Sequence, residues 1–192
     1  MLFGPSLPDG FRYRPDFISA DEERALVAHF AALEFSAVEM RGVVARRRTL
    51  HYGWSYGYYS RRAEPGPPLP DVLLPLRARA AEWAGIEAEL FVEALVTEYT
   101  AGAPIGWHRD APMFGDVIAG ISLLSSSRMK FRPYLSSGDV VPGSPPRKTT
   151  HELELAPRSA YLISGVARRD FEHSIPPVDA LRYSITFRTL RA

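Results

Sequence analysis

The segment Leu181-Arg182-Tyr183-Ser184-Ile185-Thr186-Phe187-Arg188 constrains the fold more than any other stretch of this chain. Arg182, Ser184, Thr186 and Arg188 share one parity and Tyr183, Ile185 and Phe187 the other, and alternate side chains of an extended strand point to opposite faces. One face therefore belongs to an apolar core. The other must look into something wet or charged. If that face lines the mouth of a barrel, two guanidinium groups point into a cavity, and an Arg fork is the group best shaped to hold a carboxylate.

A second pattern bears on what such a cavity holds. Trp107-His108-Arg109-Asp110 offers an imidazole and a carboxylate at i and i+2, which share a face if the backbone is extended. A third ligand is available in Phe171-Glu172-His173-Ser174-Ile175. Two His and one carboxylate, with other coordination positions open, suit a non-haem Fe(II) centre. Alone, a His-x-Asp tripeptide is weak evidence, and its residues are more often ordinary polar side chains. The chain has no cysteine, which excludes disulfides, thiolate metal sites and a Cys nucleophile. Any metal must be held by His and carboxylate. His29 and His151 have no partner at ligand spacing and are read as structural.

The 192 residues suffice for one domain, 1–192, with a substantial core. Formal net charge is only +1, and a nucleic-acid surface needs clustered rather than total charge, so the total decides nothing about partners. No secretory leader and no apolar run of membrane-spanning length is visible. A cytoplasmic, monomeric protein with no membrane association is expected. Ser19-Ala20-Asp21-Glu22 is a capping box opening a helix with Leu26, Phe30 and Leu33 on one side. A second helix has Pro75 in its first turn, Leu76, Ala80 and Trp83 as its buried stripe and Gly85 as its stop. Strands follow from Phe91 onward, interrupted at 136–150 by a Ser, Gly and Pro-rich stretch read as a flexible surface insertion. Two helices with seven or eight strands predict a mainly β (α+β) protein, a helix-buttressed β-sandwich.

Segment 43–62 is the second informative region. Arg46, Arg47 and Arg48 precede a run in which Tyr52, Trp54, Tyr56 and Tyr58 share one parity. Aromatics on one face flanked by arginines stack bases while guanidinium groups hold phosphates. The structural reading is equally physical: an aromatic face is also what a packed hairpin needs, with its arginines solvated.

Taken together, His108-x-Asp110, His173 and Arg182-x-x-x-Thr186-Phe187-Arg188 resemble the AlkB-like branch of the Fe(II)/2-oxoglutarate-dependent dioxygenases. Residues 97–110 resemble that family's Asn-x-Tyr-x-x-Gly-x-x-Ile-x-x-His-x-Asp signature, with Thr97 where the family usually has Asn; Ser184 likewise stands where Asn is frequent. The resemblance covers roughly the whole chain, with its motifs concentrated in the second half. It implies a double-stranded β-helix, or jelly roll, over 91–192, buttressed by the two N-terminal helices, with 1–90 carrying those helices and a substrate lid at 43–62.

The resemblance further implies Fe(II) held by His108, Asp110 and His173, with 2-oxoglutarate and O2 as cosubstrates. The far carboxylate of 2-oxoglutarate would pair with Arg182 and Tyr99, with Thr97 beside them and Arg188 nearer the metal. The lid residues would be Arg46, Arg47, Trp54, Tyr56 and Tyr58. The reaction implied is oxidative demethylation or hydroxylation of alkylated or modified nucleic acid, DNA or RNA, as in DNA repair. Base-repair members commonly carry an acidic residue two positions after the metal-binding Asp, where this chain has Pro112. Two alternatives stay open: an oxygenase of a protein side chain or small molecule, and a non-catalytic β-sandwich binding module.

Overall fold

The computed structural model describes residues 7–40, 42–57, 62–135, 148 and 151–191. Apart from Lys148, the insertion read at 136–150 lies outside the described residues. The chain runs β1 (Phe11–Arg14), α1 (Ala20–Ala31), β2 (Ser36–Met40), β3 (Val43–Gly57), β4 (Arg62–Pro65), α2 (Leu74–Ala84), β5 (Phe91–Tyr99), β6 (Ile105–His108) and β7 (Phe114–Leu123). It continues through β8 (Ser127–Pro133), β9 (His151–Leu155), β10 (Ala160–Ile163), α3 (Gly165–Arg169), β11 (Phe171–Ile175) and β12 (Arg182–Leu190).

Both anticipated helices form for the expected reasons. Ser19 caps α1, accepting from the Glu22 amide while the Glu22 carboxylate accepts from the Ser19 amide, so two otherwise unpaired donors of the first turn are satisfied. Gly85 ends α2 in the left-handed conformation, φ 76°, which glycine adopts without a Cβ penalty. The short α3 had no signature in the sequence.

The strands make two antiparallel sheets. The larger runs β1-β10-β7-β12-β5-β3-β2, with β4 paired to β3, and the smaller runs β6-β11-β8-β9. From β5 to β12 the chain passes between the sheets in the order of a jelly roll, so the fold is mainly β with helices on one side, as expected. Within segment 43–62, β3 joins the larger sheet. It is a fifteen-residue strand that pairs with β5 from Arg48 opposite Glu98 to Gly53 opposite Glu93.

β12 lies between β5 and β7 in the middle of the larger sheet, and its alternation sorts the protein into two compartments. Tyr183, Ile185 and Phe187 face outward and join Val96 and Ala94 of β5 in a cluster with Leu26 and Phe30 of α1 and Leu76 and Ala80 of α2. Burying such a side chain is worth about 1.5–3 kcal/mol, which fixes the register, because a one-residue slip would turn the whole set to the other face. Arg182, Ser184, Thr186 and Arg188 consequently face inward, opposite Tyr99, Thr97, Leu95 and Glu93 of β5. A separate apolar cluster of Phe11, Ile118, Met129, Phe131, Leu155, Tyr161 and Ile163 holds the two sheets together.

Candidate active site

The inward polar row lines a cleft between the sheets. Its walls include Thr97, Tyr99, His108, Asp110, Tyr161, His173, Arg182, Ser184, Thr186 and Arg188. The seven residues read from sequence as metal or cosubstrate ligands thus share one cleft.

The histidines meet through strand pairing. His173 of β11 stands opposite His108 of β6, and their ring centroids are 4.4 Å apart. His108 Nδ1 lies 2.8 Å from the Gly106 carbonyl oxygen. A proton donated there fixes the tautomer and leaves Nε2 with its lone pair toward the cleft. Asp110 arrives differently from the expectation of a shared strand face. β6 ends at His108, and Asp110 sits in the loop beyond it. Arg168 holds that loop by donating to the carbonyls of Asp110, Ala111, Phe114 and Gly115 at 3.4, 3.2, 3.1 and 3.2 Å.

The electrostatics keep these groups in ligand form. Burial pushes the His173 pKa down to about 3 and that of His108 below its ordinary value, so both imidazoles are neutral near pH 7. Burial alone would raise the Asp110 carboxyl, but the Arg188 guanidinium against it holds it well below the usual carboxylate range. Arg188 donates to Asp110 Oδ1 from Nε at 2.7 Å and Nη2 at 2.6 Å. Oδ2 is left toward His173, whose Nε2 is 3.8 Å away. Among the described residues no group of three or more His, Cys, Asp or Glu side chains is drawn together closely enough to hold a metal ion, and Asp110 instead gives Oδ1 to Arg188.

Arg182 supplies a second feature. It is 0% exposed, its Nη2 donates to Ser122 Oγ at 2.8 Å, and its Nε and Nη1 are buried without a hydrogen-bond partner. Its guanidinium carbon lies 5.1 Å from the Tyr99 ring centroid. Burial lowers its pKa. A buried cation with unpaired donors is costly unless an anion meets it. Two neutral imidazoles, one ionised carboxylate and one anion-seeking guanidinium in a single cleft are a donor set that fits a divalent metal with a dicarboxylate cosubstrate.

The two arginines of β12 are not equivalent. Both face the cleft, but Arg188 is already satisfied by Asp110 and by Glu93, whose Oε2 accepts from Nη1 at 2.9 Å. Of the two, Arg182 is the one with buried donors still without a hydrogen-bond partner among the described residues. Of the lid residues, Arg46 is exposed and its Nη1 lies over Gly102. Arg47 is near enough to His108 to help lower its pKa, and Trp54 is 38% exposed. The side chain of Tyr56 and all of Tyr58 lie outside the described residues.

Sequence reasoning missed Glu93, Ser122, Tyr161 and Arg168. Glu93 was findable, since it shares the parity of Tyr99 on β5; the other three carry no local signal.

Comparison with known proteins gives the family. The 2OG-Fe(II) oxygenase superfamily pattern matches residues 10–188. The chain belongs to that superfamily, whose members use Fe(II), 2-oxoglutarate and O2. Within it the chain is AlkB-like. It is 29% identical over 193 residues to the alkylated DNA repair protein ALKBH8 homolog of Arabidopsis thaliana, covering 92% of this chain and 54% of the relative. It is 31% identical over 165 residues to the mitochondrial alpha-ketoglutarate-dependent dioxygenase alkB homolog 7 of Mus musculus, covering 84% of this chain and 65% of the relative. The tRNA (carboxymethyluridine(34)-5-O)-methyltransferase alkbh8 of Xenopus tropicalis is 26% identical over 181 residues, covering 92% of this chain and 26% of its own length. The chain thus spans between about a quarter and two thirds of these relatives.

Among solved structures, OsALKBH1 superposes with TM-score 0.69 at 14% identity, covering 96% of this chain and 98% of that one. A Pseudomonas putida prolyl-4-hydroxylase gives 0.62 at 17%, covering 95% and 93%. At these identities the likeness is one of fold. No helix among the described residues is long and apolar enough to cross a membrane.

Proposed function

We propose that this chain is an Fe(II)- and 2-oxoglutarate-dependent dioxygenase acting on alkylated or modified nucleic acid, as a demethylase or hydroxylase. The observation that carries the cosubstrate reading is Arg182: a fully buried guanidinium with two unpaired nitrogens, in the cleft that also holds His108, Asp110 and His173. His108 and His173 give neutral nitrogen donors and Asp110 gives Oδ2, together one metal site. Arg182 takes the far carboxylate of 2-oxoglutarate, with Ser122 orienting the guanidinium and Tyr99 and Thr97 walling the same end. When bound, the iron couples oxidative decarboxylation of 2-oxoglutarate to oxidation of a substrate C–H bond. Arg188 holds Asp110 in its ionised form and in one orientation.

Support for a nucleic-acid substrate comes from Arg47 of β3, near enough to act on His108, with Arg46 exposed and Trp54 38% exposed on the same strand as cations and a ring of the kind that bind nucleic acid, and from the DNA-repair and tRNA names of the relatives. Pro112, two positions after Asp110, favours a second reading in which the substrate is a protein side chain or small molecule.

The test is turnover with Fe(II) and 2-oxoglutarate against pools of methylated DNA, RNA and peptides, read by mass spectrometry. Succinate is expected in step with loss of methyl or gain of oxygen on nucleic acid, and both should vanish in His108→Ala and Asp110→Ala. Product on peptides alone would move the protein to the second reading. Turnover that survives both changes would place the chemistry elsewhere.

A further inference from the structure

Arg188 is shared between two carboxylates that come from distant parts of the chain. Nε and Nη2 go to Asp110 Oδ1, and Nη1 goes to Glu93 Oε2 at 2.9 Å. Glu93 is 1% exposed, the least accessible acid of the described residues, and it lies directly opposite Arg188 in the pairing of β5 with β12. Its other oxygen, Oε1, is 3.3 Å from His51 Nδ1 on β3. The side chain therefore spans three adjacent strands of the larger sheet and ends one residue away from the metal-binding carboxylate.

The arrangement has two physical consequences. With Nη1 anchored on Glu93, the guanidinium presents its other edge to Asp110 in one orientation, and that edge saturates Oδ1. Only Oδ2 faces His173. The second consequence concerns charge. A buried guanidinium touching a metal-binding carboxylate competes with the cation for it, since both are positive and little water screens them. Glu93 neutralises that guanidinium from the opposite side. Asp110 then keeps its full negative charge for the ion.

We infer that Glu93 is a positioning residue that sets the affinity and mode of metal binding through Arg188, so that Asp110 ligates by Oδ2 alone. This rests on the proposed ligand set of His108, Asp110 and His173. Glu93 touches neither the metal site nor the cosubstrate cleft. Its effect reaches the ion through a guanidinium whose charge it cancels.

The experiment is titration of the metal-free protein with Mn(II), following loss of the free-Mn(II) electron paramagnetic resonance signal, with folding checked by circular dichroism. Glu93→Gln keeps the size and an acceptor oxygen but removes the charge. It is expected to loosen Mn(II) about 10-fold, at the low end for groups that orient metal ligands, and to change the bound Mn(II) spectrum. Glu93→Asp, which keeps the charge one methylene short, should fall between Glu93→Gln and the wild type. In an Arg188→Met background the same glutamine change should have no further effect, because the group it acts through is gone.

An unaltered Mn(II) Kd in Glu93→Gln, or an equal loss with Arg188 already removed, would overturn the inference. If the glutamine variant does not fold, Glu93→Asp decides: loosened binding supports the role and an unchanged Kd refutes it. Wild-type protein that binds no Mn(II) would overturn the ligand set itself, an outcome distinct from the other two.

Discussion

Arg182 sets solvation against position more sharply than any other side chain of this protein. The outward apolar residues of β12 force it inward, where among the described residues it has Ser122 Oγ and the neighbouring Tyr99 but no carboxylate. Leaving a charged donor buried and unpaired costs about 1–3 kcal/mol or more. Arg182→Met is therefore expected to raise the urea midpoint of the metal-free protein while weakening 2-oxoglutarate binding to the Mn(II)-loaded protein about 10–100-fold. Calorimetry and denaturation of the same preparation give both numbers. A variant that loses stability and binds 2-oxoglutarate normally would make Arg182 a structural cation. At this scale much was legible: His108, Asp110, His173, Tyr99 and both arginines all reach the cleft. What the residues did not announce is that Arg188 is already consumed by two carboxylates, because that depends on what stands opposite it.

Among the elements, the pairing of β7 with β10 and β12 gives the site its inner wall. Gly120 stands opposite Tyr161 on one side and Thr186 on the other, and a Cβ there would lie 2.1 Å from Tyr161 Cζ. The absent side chain is what lets the Tyr161 ring lie across the sheet and line the cleft with Arg182. Gly120→Ala should cost about 1–3 kcal/mol by overpacking, read as a lowered urea midpoint, and Tyr161→Leu in the same chain should recover part of it. A Gly120→Ala protein as stable as the wild type would mean that the ring has room to move. The helices and most strands were readable because capping boxes, a glycine stop and period-two alternation are local. The aromatic and arginine pattern of β3 fits both a packed strand and a binding surface, and nothing local reports that it hydrogen-bonds to β5. Asp110 was expected on a strand, yet the strand ends at His108 and Arg168, far away in sequence, shapes the loop instead.

For the whole molecule, the cleft links stability to pH. Burial holds the His173 pKa at about 3, whereas an unfolded histidine titrates near about 6.5. Between those values the unfolded chain binds a proton that the folded chain refuses. The metal-free fold thus has its full advantage above about pH 6.5 and loses on the order of 1 kcal/mol per pH unit as the pH falls through that window. Asp110, also depressed, adds to the loss in the same direction below about pH 4. Urea midpoints of the metal-free protein are expected to fall from pH 7 to pH 4, with a shallower slope in His173→Phe; equal slopes would show that His173 is not the group responsible. The alternation of β12, the two helices, the lack of thiol chemistry and the candidate ligands are all written in residues that are neighbours along the chain. That His173 faces His108 across a strand pair, that Glu93 meets Arg188 from 95 positions away, and that Arg182 has no carboxylate partner among the described residues followed from the packing of the chain. Those are outcomes of which strands lie side by side, a long-range choice made by burying the outer apolar face, and no local pattern encodes it.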